Sequence, residues 1–173
     1  MAEFLDVLDG DGNPTGATAE KDDAHARGLW HQVSYIWVVN SRGELLMGRR
    51  SALKKERKHW WTYSALGHVQ AGETPAAGAV REIKEEIGID VKESELKLLR
   101  ITKKSEKKEF VHAFVVRRDL PVENYVVDPR EIEAIKYVPW QDLAKLSDRE
   151  MTAKKIYAAP DFKELFDMLR SGA

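Results

Sequence analysis

With 173 residues, 28 basic against 29 acidic side chains and no cysteine, the chain has the length of one domain and enough residues to bury its own core. The near-neutral balance gives no electrostatic footprint for a nucleic-acid polymer or an anionic membrane, and the missing cysteines remove disulfides and thiol catalysis. No apolar run approaches the ~20 residues of a membrane span, and the beginning MAEFLDVLDGDG has neither a basic lead nor a hydrophobic signal segment, so a cytoplasmic location is expected.

Glu3 to Leu8 reads as a short strand, and residues 9–16, DGDGNPTG, as a turn. That turn resembles part of a calcium loop, but the later ligands, closing glutamate and flanking helices of an EF-hand are not evident. Lys21 to Gly28 reads as a short helix or a loop. Val33 to Asn40 is a run of β-branched and aromatic residues, as in a largely buried strand; Ser41-Arg42-Gly43 turns it, and Glu44 to Arg50 returns as its antiparallel partner. A basic loop follows from Ser51 to His59. After a central helix, Leu96 to Lys103, Phe110 to Arg118 and Glu131 to Val138 have strand character, and Gln141 to Leu146 and Phe162 to Leu169 read as helices. Phe162, Leu165, Phe166 and Leu169 form an amphipathic stripe that packs on the domain or, as the alternative, joins two copies. No repeat, linker or low-complexity tract is visible. These elements suggest an α/β fold with a mixed sheet between helical layers.

The central helix carries the chemistry. In GHVQAGETPAAGAVREIKEEIGI, residues 67–89, Thr74 is a good N-cap, Pro75 suits the first helical position and Gly88 is a C-terminal stop, which implies about 14 helical residues. Ala76, Ala79, Val80, Ile83 and Ile87 follow the spacing of a buried stripe. Glu82, Glu85 and Glu86 stand at i, i+3 and i+4 and so share one patch of helix surface. Like charges so close are screened by solvent or held by a cation. Hard oxygen donors facing a cleft suit Mg²⁺, with Mn²⁺ as substitute, in polyphosphate chemistry. Taken alone, the acids with Lys84 and Arg81 read more readily as a solvated face than as a site. Gly67 and Gly72, five residues apart just before the cap, argue instead for backbone that approaches something closely.

The whole pattern, Gly67, five residues, Glu73, seven residues, then Arg81-Glu82-Ile83-x-Glu85-Glu86-x-Gly88-Ile89, resembles the complete signature of the Nudix hydrolase family. The resemblance implies a loop–helix–loop motif in an α/β/α sandwich and a metal-dependent enzyme that cleaves a nucleoside diphosphate, or another diphosphate, linked to a further group. It implies that Glu82, Glu85 and Glu86 bind metal or act as base, that the Gly67 carbonyl adds a ligand, and that Glu73 and Arg81 pair to hold the loop on the helix. A further acid from outside the signature often completes such sites, with Glu109 and Glu131 as candidates.

A narrower resemblance runs through about the first 140 residues. Lys21-x-x-x-His25, Leu29-Trp30-His31, VSYIWVVNSRGELLMGRR, Trp60-Trp61-Thr62 and Gly67-His68 together look like the isopentenyl diphosphate isomerase branch of Nudix proteins. That resemblance implies a second metal site at His25, His31 and His68, with Glu109 contributing. The chain departs from the branch at Leu66, where those isomerases place a catalytic thiol, and at Lys107, where they carry another acid. The reading is therefore an isomerase-like Nudix hydrolase, with isomerase-like activity and a non-catalytic ligand-sensing domain as alternatives.

For substrate contact, Arg49 and Arg50, at a strand end beside Lys54, Lys55, Arg57 and Lys58, are candidate phosphate donors, although a basic loop also reads as solvated. Trp60 and Trp61 suggest one buried ring and one lining a cleft. The partner is a small-molecule diphosphate, and the protein is expected as a monomer or homodimer.

Overall fold

The computed structural model describes residues 2–172. Its central strand is β3 (His31–Val39), whose Val, Ile, Trp and Tyr side chains alternate between two covered faces. Along one edge β3 runs parallel to β8 (Glu109–Arg117), from His31 opposite Glu109 to Val39 opposite Arg117. Its other edge is shared. Val38 and Val39 pair antiparallel with Leu46 and Leu45 of β4 (Glu44–Arg50), and Val33 to Ile36 pair with β6 (Ala65–His68). The expected hairpin therefore exists only near its turn, where Gly43 takes a positive φ of 75°. Farther on β4 leaves β3 and pairs with β5 (Trp61–Thr62) and β9 (Ile132–Pro139). Outside β8, β7 (Lys97–Lys104) completes a mixed seven-stranded sheet.

Alternation along these strands makes two cores. Trp37, Val39, Leu45, Met47 and Val115 pack with residues from α3 (Trp140–Ala144), α4 (Asp148–Ala153) and α5 (Phe162–Ser171). Ile36, Val38, Leu46, Phe114 and Val116 pack on the opposite face with Ala79, Ile83 and Ile87 of α2 (Pro75–Ile87). Phe162, Leu165 and Phe166 are buried within this chain, so the last helix uses its stripe to cover the sheet. The helical layers enclose a mixed sheet, giving the α/β/α arrangement.

A separate hairpin of β1 (Phe4–Leu8) and β2 (Pro14–Glu20) precedes α1 (Lys21–Arg27). The sequence shows no sign of β2, because PTGATAE is almost wholly exposed and carries no apolar alternation. Its strand state comes from pairing with β1. Short β5 and β6 likewise lack a sequence signal of their own, whereas α4 opens on a capping box, Ser147 with Glu150, that the sequence reading missed. Among the described residues no helix is long and apolar enough to cross a membrane.

Candidate functional site

Local sequence fixes the start and end of α2. The Thr74 hydroxyl accepts the Ala77 N–H at 3.0 Å, Pro75 opens the first turn, and Gly88 closes the helix with φ 73° and an N–H donated to the Lys84 carbonyl. Docking against β6 then separates the three acids. Glu82 and Glu86 are 8% and 5% exposed, whereas the Glu85 side chain remains 57% exposed. The Leu66 N–H donates to Glu86 Oε2 at 3.0 Å. A Cβ added to Gly67 would fall 2.0 Å from the Glu82 carboxyl carbon, so a side chain at this position would occupy the carboxylate's place.

Arg81 stitches the loop to the helix. Its Nε and Nη2 donate to the two Glu73 oxygens at 2.9 and 3.0 Å, Nη2 also to the His68 carbonyl at 2.8 Å, and Nη1 to Glu82 at 2.6 Å and Glu85 at 3.2 Å. Burial opposes the guanidinium charge, but the hydrogen bonds it donates to Glu73 and Glu82, with their charges, outweigh it and raise its pKa. Glu73 also accepts the Gln70 N–H at 2.9 Å, and Gly72 turns the loop with φ 82°.

Burial pushes the Glu82 carboxyl up to about 7 despite Arg81, and burial followed by the neighbouring Glu82 charge pushes Glu86 well above the usual carboxylate range. Without a cation these two acids resist sharing full charge. A pair of buried carboxyls around a backbone stripped of its side chain fits a hard divalent cation. Glu131 is ion-paired with Lys54, lies close enough to raise Glu86 further, and so borders the same centre.

The three histidines gather from α1, β3 and β6. His25, His31 and His68 each offer a ring nitrogen, and these atoms lie within 4.8 Å of one another. His25 Nε2 and His68 Nε2 are 3.0 Å apart. His31 Nδ1 sits 2.8 Å from the Leu29 carbonyl, which assigns its proton there and leaves Nε2 a buried acceptor without a partner. Burial, then the His31 and His25 charges, drive the His68 imidazole down to about 2, so it is neutral at ordinary pH. Glu109 stands opposite His31 across the parallel ladder, with its carboxyl raised by burial and its Oε2 unpartnered. Three clustered imidazoles beside a carboxylate with an unpartnered oxygen fit a borderline cation. Glu109 thus lies on the histidine side, next to His31. Lys107 pairs with Glu56 at 2.7 Å, and its charge still acts on Glu109 and His25.

Arg49 Nε lies 2.7 Å from Glu133, and Arg50 Nε donates to the Glu56 carbonyl at 3.2 Å. The tryptophans require a correction: neither is buried. Trp60 and Trp61 are both only partly buried, Trp61 in the short strand β5 and Trp60 in the loop before it. Trp61 instead carries Arg49 and Lys136 over its ring at 5.7 and 4.1 Å. Lys54, named in the sequence only as one of a basic cluster behind Arg49 and Arg50, has a charge that acts on both Glu86 and His68. Only the fold brings residue 54 between those two centres.

The chain thus combines a mixed α/β sandwich, a helix with two buried acids, a glycine-cleared loop and an adjoining histidine cluster. The sequence profile of the NUDIX domain matches residues 29–159, and the chain belongs to the Nudix family. An uncharacterized Nudix hydrolase of Clostridium acetobutylicum is 31% identical over 86% of this chain and 76% of its own length. The isopentenyl-diphosphate Delta-isomerase 2 of Photorhabdus laumondii is 39% identical over 52% of this chain, which spans about half (50%) of that isomerase. Among solved structures, a Deinococcus radiodurans protein matches with a TM-score of 0.74 at 20% identity, covering 95% of this chain and 98% of its own; that likeness establishes the shared fold.

Proposed function

We propose that the protein is a Mg²⁺-dependent hydrolase, with Mn²⁺ as substitute, that cuts the diphosphate bond of a nucleoside diphosphate derivative or related small molecule. The observation that carries this reading is the Glu82–Glu86 pair, buried one helical turn apart against a glycine whose missing side chain makes room for Glu82. Glu82, Glu86 and exposed Glu85, with the Gly67 carbonyl, are the residues that would hold the cation, and Glu131 is the acid at its edge. When bound, a divalent cation supplies neutralising charge to the diphosphate and a more acidic water. One helix carboxylate takes the proton of the attacking water. Arg81, already committed to Glu73, Glu82 and the His68 carbonyl, positions these groups rather than reaching out to substrate. Arg50 and Lys54 border the cleft as cations for phosphate oxygens.

The histidine cluster supports a second cation site, held by His25, His31, His68 and Glu109. An isomerase reading finds support in the relatives, but Leu66 and the absence of cysteine leave it without a thiol. We take the chain as one cytoplasmic domain, working as monomer or homodimer. The test is a release assay over nucleoside and prenyl diphosphates, reading phosphate, pyrophosphate and nucleoside monophosphate with isomer analysis alongside. Cleavage that stops on chelation and returns with Mg²⁺ is the expected result; double-bond migration without cleavage, or turnover indifferent to chelator, overturns the reading.

A further inference from the structure

Beyond the acids and histidines, the face of the sheet that the C-terminal helices cover carries an aromatic wall of partly buried tyrosines capped by cations. Tyr35 lies opposite Leu66 on β6 and Ala113 on β8, one residue pair along from Gly67 opposite Ser34. That neighbouring pair points to the opposite face, but His31 stands four residues before Tyr35 on the same face of β3 and Glu109 is near enough for its charge to act on the phenol, so the wall adjoins the histidine side of the candidate site. Lys104 Nζ sits 4.6 Å from the Tyr35 ring centroid, 3.3 Å from its hydroxyl and 5.9 Å from the Tyr157 ring. Arg57 Cζ lies 4.2 Å over Tyr157. Tyr157 is drawn in by backbone pairing, its N–H donating to the Trp61 carbonyl at 2.9 Å. Among the described residues neither Lys104 nor Arg57 has a carboxylate within ion-pair distance. Glu109 faces Lys104 across the ladder and feels its charge, but makes no ion pair with it and also stands beside His31.

These cations decide what the wall can accept. A prenyl chain needs bare aromatic faces, and here a lysine and a guanidinium lie over them. Covering those charges with an apolar tail would strip their water and offer no counter-charge. An anionic group would instead meet two donors held in place by the rings, with little ordering left to do. We infer that the site selects diphosphates whose second group bears a carboxylate or a further phosphate, read by Lys104 and Arg57, over those ending in a prenyl chain or a neutral sugar. This rests on the hydrolase reading for its reaction, though not for its binding preference.

Matched pairs test it: UDP-glucuronate against UDP-glucose for the carboxylate, and coenzyme A against its 3′-dephospho form for the phosphate, with isopentenyl diphosphate as the apolar member. For the full chain with Mg²⁺, kcat/KM is expected to favour the anionic member of at least one pair by about tenfold or more, the worth of one charge-assisted hydrogen bond. The preference is expected to shrink as salt rises from about 50 to about 500 mM, and toward unity in Lys104→Met/Arg57→Met. Equal ratios in both pairs, a preference for the neutral or prenyl member, or an unchanged ratio in the double variant overturns the inference. Calorimetric binding of the same pairs separates the two readings. If nothing is hydrolysed the hydrolase reading falls, and the ratio of dissociation constants still decides this one: tenfold in favour of the anion upholds it, while equal or undetectable binding overturns it.

Discussion

Burying one carboxylate costs free energy, and burying two within a helical turn costs more, so Glu82 and Glu86 burden the fold unless something else neutralises them. Linkage makes that burden measurable. The folded Glu82 carboxyl holds its proton up to about pH 7, while an unfolded glutamate releases it near 4.5. Between those values the folded state binds more protons, so this group's contribution is fully present below about pH 4.5 and is lost as pH rises through about 7. In chelator, the unfolding free energy of the protein minus that of Glu82→Gln is expected to fall across this window by about 3 kcal/mol. Denaturant titrations at pH 4.5, 6 and 8 read it, and a flat difference would show that Glu82 is not buried as described. Glu86→Gln removes the second charge while keeping the shape, so it is expected to cut kcat by about 10²–10⁴-fold. Its Tm in chelator should be no lower than that of the unaltered protein, and the rise in Tm on adding Mg²⁺ should disappear. Undiminished turnover would sink the assignment of the cation to this helix.

At the scale of elements, the loop and α2 work as one piece because Arg81 joins Glu73, Glu82, Glu85 and the His68 carbonyl. Gly67→Ala tests the fit between them. Its Cβ would displace the Glu82 carboxylate, which Arg81 holds, so a large loss of activity is expected with a stability change of only about 1 kcal/mol, since the group that moves is the end of a flexible side chain. Activity close to the parent level would mean that Glu82 need not sit against the loop. Helix α2 was legible in the sequence because its information is local: Thr74, Pro75, Gly88 and the Ala79–Ile83–Ile87 stripe each act within a few residues. The sequence also placed three acids on one patch, but it could not sort them. Glu82 and Glu86 are buried and Glu85 exposed because β6 docks beside them, and β6 is a four-residue strand whose conformation comes from pairing with β3. The cation-capped tyrosines were equally hidden, since Tyr35, Lys104 and Tyr157 meet only across three separate segments.

At the scale of the whole molecule, the parallel match of β3 with β8 joins residues that no turn connects, and so leaves no trace in sequence spacing. The helical layer behind it is pinned by one buried polar group. Asp161, 1% exposed, opens α5 and accepts the Trp37 indole N–H at 2.6 Å and the Tyr63 hydroxyl. Burial raises its carboxyl, and the two donors pull the other way. Asp161→Ala would leave an indole N–H and a phenol buried without acceptors, at about 1–3 kcal/mol each, whereas Asp161→Asn keeps the shape and one acceptor oxygen. The expected order of unfolding free energies is therefore parent, then Asn, then Ala, with Ala about 2–5 kcal/mol below the parent. A double-mutant cycle with Trp37→Phe assigns the cause. Once the indole N–H is gone there is less for Asp161 to satisfy, so the Ala substitution should cost at least about 1 kcal/mol less in that background. Simple additivity would mean that α5 is held by apolar packing of Phe162, Leu165 and Phe166 alone, with the buried carboxylate a tolerated cost.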